Sequence, residues 1–237
     1  MNKIITPRSA MTLGTLALLG FASTAVSAQL VTSYSGDAYI VRSDEFGTVV
    51  FDGDTGSLPP AGGSLTASLS NFTDRYVATR IVNGTASASG GSGVADSSTT
   101  VTGFRFDDSS GDTVSFDSET VLSHADASGV TGSVVFTNLV VNGTSYPSSV
   151  APNTVISLNV GRTITLNEQT NLSVAGHNEI TVQGVDLLSP AFFELNTGVA
   201  NSDVTFPQNG AVPEPGSIAL LVGMTTVGAG VLRRRRK

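Results

Sequence analysis

The chain has 237 residues and contains neither cysteine nor tryptophan. Its net charge of −7 is unevenly distributed, because the segment 29–211 holds five arginines, no lysine and 18 of the 19 acidic residues. A body this acidic repels nucleic acid and anionic membranes, so we exclude nucleic-acid binding. Without cysteine, thiol catalysis, Fe–S clusters and cysteine-ligated zinc are excluded, and the core or bound ions must hold the fold.

The N-terminus has the pattern of a secretory signal peptide. Two basic residues precede an apolar or small segment at 11–26, and Val26-Ser27-Ala28 places small residues where signal peptidase reads the chain. This predicts a signal peptide over 1–28, with cleavage between Ala28 and Gln29. The shortness of the apolar segment makes a permanent N-terminal membrane helix the weaker interpretation.

The body, 29–200, has the composition of a β protein, since Gly, Ser, Thr and Val dominate and no long segment has helical periodicity. In its first half, Leu58–Gly63 and Ser87–Ser98 are typical of loops. Asn83-Gly84 predicts a tight turn after a strand at 76–82. Further along, Ser133–Val141 is apolar on both faces and predicts a central strand, which Asn142-Gly143 ends in a tight turn.

The clearest alternation of apolar and polar residues, Thr154–Leu166, predicts one long strand with a single buried face. Another strand is predicted at Ile180–Leu188, where Gly184 shifts the apolar phase and indicates a bulge. Asn201–Ala211 is typical of a spacer. Together these elements predict a single antiparallel β-sandwich-like domain. A β-solenoid is the weaker alternative, because no internal period is visible.

The C-terminus combines three features in 212–237. Val212-Pro213-Glu214-Pro215 is held extended by its two prolines. The mostly apolar run Gly216–Leu232 has 17 residues, at the short end of the roughly 17–25 that span a bilayer. The basic cluster Arg233-Arg234-Arg235-Arg236-Lys237 would stop transfer and stay in the cytoplasm. These features predict a recognition motif, a transmembrane helix and a stop-transfer tail.

This C-terminal segment resembles the PEP-CTERM sorting signal of Gram-negative bacteria that make extracellular polysaccharide. The resemblance implies that exosortase, a membrane-embedded cysteine peptidase, processes the chain near Val212–Pro215. Signal peptidase would remove the N-terminal segment. The protein would then be held transiently in the inner membrane and reach the cell surface or the extracellular matrix. A plain single-pass anchor is the alternative, but it gives no reason for Pro-Glu-Pro.

Five short segments of the body carry a second resemblance: Leu58-Pro59-Pro60-Ala61-Gly62-Gly63, Leu139-Val140-Val141-Asn142-Gly143, Ala151-Pro152-Asn153-Thr154, Leu166-Asn167-Glu168-Gln169 and Ile180-Thr181-Val182. With these segments the body resembles the choice-of-anchor P family, whose members share an exported β-rich body and differ in their C-terminal anchors. The resemblance implies a surface protein with no established activity. Family members often carry cysteines that this chain lacks, so no disulfide is transferred.

Catalytic chemistry has little support in the sequence. His124 and His177 are the only histidines, and no Gly-x-Ser-x-Gly elbow accompanies them. Paired carboxylates for a glycosidase occur by chance among so many acids, and the aromatic residues that usually line a sugar cleft are few. We therefore expect no catalytic residues and no required cofactor.

Calcium is the best candidate ligand. Asp107, Asp108 and Asp112 place carboxylates in a short Asp/Ser/Gly segment, and Asp52–Gly56 is a weaker candidate of the same kind. An ordinary turn is nevertheless the favoured interpretation of both segments, because Asp and Gly are turn formers.

The sequence thus predicts an exported protein with a structural or binding role linked to exopolysaccharide and biofilm. An extracellular hydrolase acting on polysaccharide and an adhesin are the alternatives.

Overall fold

The computed structural model describes residues 30–45, 47–74, 79–190 and 193–207. This part of the chain consists of β-strands joined by turns and loops, with one 3-10 turn at Asn159–Gly161. The strands are β1 (Ser33–Glu45), β2 (Thr48–Asp54), β3 (Gly63–Asp74), β4 (Thr79–Gly91), β5 (Val94–Asp107), β6 (Thr113–Asp126), β7 (Gly129–Thr137), β8 (Val140–Val141), β9 (Thr144–Ser145), β10 (Thr154–Ser157), β11 (Thr163–Asn171), β12 (His177–Ser189) and β13 (Phe193–Thr205).

These strands form two sheets, and all their pairings are antiparallel. Sheet A has the order β10-β11-β12-β13-β1-β2. Sheet B has the order β3-β4-β5-β6-β8-β9, and β7 pairs with β6 as well. The predicted all-β, antiparallel, sandwich-like architecture is confirmed. The solenoid alternative is wrong, because most strands pair as antiparallel hairpins with their neighbours in sequence.

The core lies between the two sheets and receives side chains from both. Its largest fully buried members include Phe104, Phe106 and Phe136 from sheet B and Ile40 and Leu187 from sheet A. Burying a side chain of this size stabilises the folded state by about 1.5–3 kcal/mol. An apolar core of this kind holds the two sheets together in a chain that has no cysteine.

Each sheet bends along one row of residues, where the pairing of neighbouring strands is interrupted and the buried face of most strands changes phase. In β12, for example, Ile180 and Val182 point into the core before the row, and Val185 and Leu187 do so after it. The register is unchanged across the row, so the phase shift predicted at Gly184 is confirmed but the predicted bulge is wrong. In sheet A the row is Asn167, Gly184, Gly198, Ile40 and Gly53.

Positive φ on alternate strands produces the bends. In sheet A, Asn167, Gly198 and Gly53 have φ of 51°, 56° and 67°. Such values suit Gly and are tolerated by Asn, which explains the choice of residue at these points. The bend of sheet B has the same alternation, with φ of 54°, 65° and 55° at its Asn, Gly and Asn. Its row is Asn71, Val82, Gly103, Asp117 and Asn138.

Two of the predicted turns and loops lie inside hairpins instead. Ser87–Ser98, predicted as a loop, forms the ends of β4 and β5, which turn at Ser92-Gly93 with φ of 53° and 87°. Asn83-Gly84 lies within β4, where Gly84 is required for another reason. A Cβ there would overlap Ile40 of the opposite sheet. In contrast, the turn at Asn142-Gly143 and the loop at 58–62 are confirmed.

The predicted strand Thr154–Leu166 is in fact a hairpin. β10 and β11 pair with each other, with Thr154 opposite Leu166, and the chain reverses through the 3-10 turn. Val160 lies in this turn with a φ of 52°, and 73% of its surface is exposed, so it does not share the buried face predicted for it. The spacer predicted at 201–211 is also wrong in its first part, because β13 continues to Thr205 between β12 and β1.

Ser133–Val141 follows one continuous register along β6, although the strand is interrupted at Asn138 and Leu139, where sheet B bends. The predicted central position is wrong for its first part. β7 pairs with β6 on one side only, and Val135 is 50% exposed on the outer face.

Candidate functional sites

The outer face of sheet B is an ordered array of hydroxyl groups. Five strands, β3 to β7, place their outward residues in four rows that cross the sheet in register. Serine or threonine occupies 15 of these 20 positions, and none of the 20 is buried. We call this surface the hydroxyl grid. Its rows are Ser64-Ser89-Asp96-His124-Thr131, Thr66-Ser87-Ser98-Leu122-Ser133, Ser68-Thr85-Thr100-Thr120-Val135 and Ser70-Asn83-Thr102-Ser118-Thr137.

The geometry of paired strands fixes the spacing of this grid. Neighbouring strands lie about 4.8 Å apart, and alternate residues of one strand lie about 6.8 Å apart. Some hydroxyls also bond to each other, as do Ser87 and Ser98 across 2.8 Å. A groove of about 740 Å³ runs over the rows of Ser98 and His124, and a second of about 380 Å³ adjoins it at Ser87 and Ser98.

His124 is held at one end of the grid by two carboxylates. Its Nδ1 lies 2.7 Å from Oδ1 of Asp96, and its Nε2 lies 3.7 Å from Oδ2 of Asp126. The pKa of Asp126 is lowered, first by the hydroxyl of Ser128 that donates to it. A carboxylate thus faces each ring nitrogen, and among the described residues no serine forms a hydrogen bond with this histidine.

The predicted calcium ligands do not converge. Asp107 extends outward from the end of β5 and pairs with Arg105 at 2.9 Å. Asp108 and Asp112 turn the other way, towards Arg162, which forms ion pairs with both. A guanidinium thus occupies the place between the two carboxylates that a cation would take.

Asp112 holds two further loops in place. Its side chain is completely buried, and its Oδ1 accepts hydrogen bonds from Asn142 Nδ2 and from the backbone of Asn159, both at 3.0 Å. Arg162 in turn lies over the ring of Phe193, 5.7 Å from its centroid. This cluster joins the β5–β6 turn, the β8–β9 turn and the 3-10 turn, which is a structural role. The other Asp/Gly segment, 52–56, begins as the end of β2, and Asp54 caps the turn by accepting from the backbone of Gly56.

A second histidine cluster lies on the outer face of sheet A. His177 and Glu179 are alternate residues of β12, and Asp203 is directly opposite Glu179 on β13. His177 Nε2 is 3.2 Å from Glu179 Oε2, and its Nδ1 is 3.1 Å from Asp203 Oδ1. Among the described residues, this group brings one possible ligand atom from each of three side chains within 4.8 Å of one another.

Further carboxylates surround this cluster. The pKa of Asp37 on β1 is raised, first by burial and then by the negative charges of Asp54 and Glu179. Burial also raises the pKa of Asp203, and the charge of Glu179 adds to the effect while His177 opposes it. The described arginines form their ion pairs elsewhere, so negative charge is in excess on this part of sheet A.

Beyond the bend, the same face carries another group of acids. The pKa of Asp186 is raised to about 7, first by burial and then by the negative charges of Glu168 and Glu194. Here Arg42 provides compensation, because its Nη1 donates to Glu194 Oε1 at 2.6 Å and to Asn196 Oδ1 at 2.9 Å. An arginine therefore compensates part of the negative charge of this second group, whereas no described arginine pairs with the first.

One carboxyl group is buried between the sheets. Glu119 of β6 is fully buried, and the bend of sheet A leaves space for its carboxyl against Gly184 and Gly198, where a Cβ would overlap it. Thr197 Oγ1 donates to its Oε2 at 3.0 Å, whereas its Oε1 has no hydrogen-bond partner within the described ranges. Burial raises the pKa of Glu119 to about 8, so the group is mostly protonated at neutral pH.

The predicted processing positions lie outside the described residues. These are the signal cleavage site at Ala28 and Gln29, the motif Val212-Pro213-Glu214-Pro215 and the tail Arg233-Arg234-Arg235-Arg236-Lys237. Within the part of the chain that the structure describes, no helix has the length and apolar character needed to cross a membrane.

Fold and surfaces together define an acidic, cysteine-free, all-β protein of two antiparallel sheets, with a hydroxyl-rich outer face on one sheet and a carboxylate-rich outer face on the other. No family model, curated protein or solved structure matches the chain. The function must therefore be inferred from the surfaces themselves.

Proposed function

We propose that this is an exported protein of the bacterial surface or extracellular matrix, whose body binds exopolysaccharide through the hydroxyl grid. The C-terminal segment would be a PEP-CTERM signal that exosortase processes. The binding part of the proposal depends on one observation, the in-register hydroxyls of sheet B.

The chemistry of the grid suits a hydroxyl-rich polymer. Each serine or threonine hydroxyl both donates and accepts hydrogen bonds, as sugar hydroxyls do. The array repeats in two directions, so a chain of repeating sugar units can make the same contacts several times. Single contacts of this kind are weak in water, but several on one polymer act together and raise the overall affinity. The exposed side chains of Leu122 and Val135 add apolar patches within the grid.

The charge distribution favours neutral segments of polysaccharide. The described body is strongly acidic, yet Asp96 and His124 are the only titratable residues among the 20 grid positions, and they pair with each other. A polyanion would meet repulsion from the rest of the body. A neutral, hydroxyl-bearing polymer meets none.

Co-sedimentation of the mature protein with the exopolysaccharide of the producing organism tests the binding proposal. Thr100 lies in the middle of the grid, so Thr100→Glu places a charge where hydroxyls should contact the sugar. We expect this variant to bind at least about ten-fold more weakly, a loss of about 1.4 kcal/mol. Thr48→Glu, at an exposed position on sheet A, is the matched control. Equal binding by the two variants, or no binding by the unchanged protein, would contradict the proposal.

The sorting part of the proposal has an independent test. Exosortase processing near Val212–Pro215 removes the basic tail, so the intact mass of the protein recovered from the cell surface should lack Arg233–Lys237. Replacing Glu214 and its two flanking prolines with alanine should leave the tail in place. A full-length C-terminus on the surface protein would exclude processing, whatever the result for polysaccharide binding.

A further inference from the structure

The geometry points to a metal site at His177, Glu179 and Asp203. We propose that these three side chains bind a divalent transition-metal ion, with Zn²⁺ as the best match. The site is separate from the hydroxyl grid, because it lies on the outer face of the other sheet.

The backbone places the three residues on one surface. His177 and Glu179 are alternate residues of β12 and so point to the same side of the sheet. The register puts Asp203 opposite Glu179, and hence diagonal to His177, which is opposite Thr205. Ligands on two hydrogen-bonded strands are held more rigidly than ligands on a loop.

The distances between the side chains suit an ion between them. His177 Nε2 and Glu179 Oε2 are 3.2 Å apart. Metal–ligand bonds of about 2.0–2.2 Å place neighbouring tetrahedral ligands about 3.3–3.6 Å apart. All three ligand atoms lie within 4.8 Å of one another, a span that rotation of the side chains can close.

Two hydrogen-bonding details also point to a ligand. Asn201 Nδ2 donates to Glu179 Oε1 at 3.2 Å and to Thr181 Oγ1 at 2.9 Å, which leaves Glu179 Oε2 directed at His177. Outer hydrogen bonds of this kind orient metal ligands. Asp203 Oδ1 is buried and has no hydrogen-bond partner with good geometry in the described part of the chain, although His177 Nδ1 lies 3.1 Å away. A metal ion would satisfy it.

The donor set selects the kind of metal. One imidazole nitrogen and two carboxylates suit Zn²⁺ and its neighbours among the divalent transition metals. Calcium instead requires six to eight oxygen ligands, which this group does not supply. The excess of carboxylates around the cluster, with no described arginine paired to them, also favours a doubly charged cation.

His124 provides a comparison for His177, because it also lies beside carboxylates but is not part of a proposed metal site. It too faces two aspartates, but among the described residues these three side chains do not bring one ligand atom each within 4.8 Å of one another. Its side chain is more exposed than that of His177, at 39% against 29%. His124→Ala is therefore a matched control for His177→Ala.

A bound ion would join β12 to β13 near the last described residues of the body. Thr205, opposite His177, is followed by Phe206 and Pro207, where the described chain stops. In a protein without cysteine, a metal bridge at this position would restrain the end of the body much as a disulfide would.

Calorimetric titration of the purified, metal-free full chain with ZnCl₂ at neutral pH tests the proposal. We expect one equivalent of Zn²⁺ to bind, with an affinity at least ten-fold lower in His177→Ala and in Asp203→Asn and unchanged in His124→Ala. Circular dichroism of the metal-free variants checks that they fold. Asp203→Asn is the second variant because an amide keeps the shape of the side chain and removes its charge.

Two further measurements make the outcome decisive. Zn²⁺ should raise the melting temperature of the unchanged protein and of His124→Ala, but not that of His177→Ala. Co²⁺ should give a visible d–d absorption that disappears in His177→Ala. Absence of Zn²⁺ binding, equal binding by His177→Ala, or binding of Ca²⁺ in preference to Zn²⁺ would each overturn the assignment.

Discussion

Replacing Glu119 with glutamine should remove a large pH dependence from the stability of this protein. Burial between the sheets raises the pKa of Glu119 from its ordinary value of 4.5 to about 8. Below pH 4.5 the carboxyl is protonated in both the folded and the unfolded state. Between these two values only the unfolded state releases the proton, so the free energy of unfolding falls as the pH rises.

The size of this pH effect follows from the difference between the two pKa values of Glu119. A pKa difference of one corresponds to about 1.4 kcal/mol, so the loss between pH 4.5 and pH 8 is on the order of 5 kcal/mol. This is a large part of the 5–15 kcal/mol that stabilises a typical domain. Glutamine has nearly the same shape, carries no charge at any pH, and can still accept the hydrogen bond from Thr197.

Urea unfolding of the two proteins at pH 5, 7 and 9 measures the effect. The difference in unfolding free energy between Glu119→Gln and the unchanged protein should be smallest at pH 5 and should increase by several kcal/mol by pH 9. Asp107→Asn is the control, because Asp107 lies on the surface and its pair with Arg105 is worth about 0–1 kcal/mol. Parallel pH profiles for Glu119→Gln and the unchanged protein would refute the reasoning, since they would mean that the buried carboxyl does not resist ionisation.

Two other substitutions test the packing of the body by thermal or urea unfolding. Gly198→Ala should cost about 3 kcal/mol or more, because its Cβ would overlap Glu119 and Val121 at a φ of 56°. Gly111→Ala, with a φ of 84° but open space, should cost only about 1 kcal/mol, and equal losses would contradict the overlap. Arg162→Gln should cost about 3–5 kcal/mol by leaving two carboxylates unpaired, whereas Arg105→Gln should cost at most about 1 kcal/mol.

The pattern of apolar and polar residues and the backbone preferences of single residues were enough to predict the class of fold. Alternation of apolar and polar residues indicated strands, and Asn142-Gly143 indicated its turn because both residues adopt positive φ readily. The same rules failed at Thr154–Leu166, where Val160 adopts positive φ against the preference of a β-branched residue. A continuous alternation of apolar and polar residues therefore predicted one strand where the chain forms two strands joined by a turn. Conversely, Asn83-Gly84 is a residue pair typical of tight turns but lies in β4. The glycine is needed there because a Cβ would overlap Ile40 of the other sheet.

The candidate sites depended more strongly on strand pairing than on local pattern. Hydroxyl residues at every second position were visible, for example at 64–70 and 98–102, but their alignment into a grid required the register of five strands. His177-x-Glu179 likewise puts two ligands on one face, whereas Asp203 joins them only through the pairing of β12 with β13. At Asp107–Asp112 the sequence likewise does not show that Arg162, distant in the chain, forms ion pairs with Asp108 and Asp112.

The topology separates the two proposed functions in space. The body begins with β1 and ends with β13, which are neighbours in sheet A, while all the strands of the hydroxyl grid belong to sheet B. The proposed metal site lies at the end of sheet A where Thr205 pairs with both Ser33 and His177. The two surfaces therefore lie on opposite faces, although both reach the same end of the sheets, where Asn178 Nδ2 donates to the backbone oxygen of Asp126 at 2.7 Å. Loss of the metal site should therefore remove the stabilisation by Zn²⁺ without weakening polysaccharide binding. Thr100→Glu should weaken polysaccharide binding without changing the stabilisation by Zn²⁺.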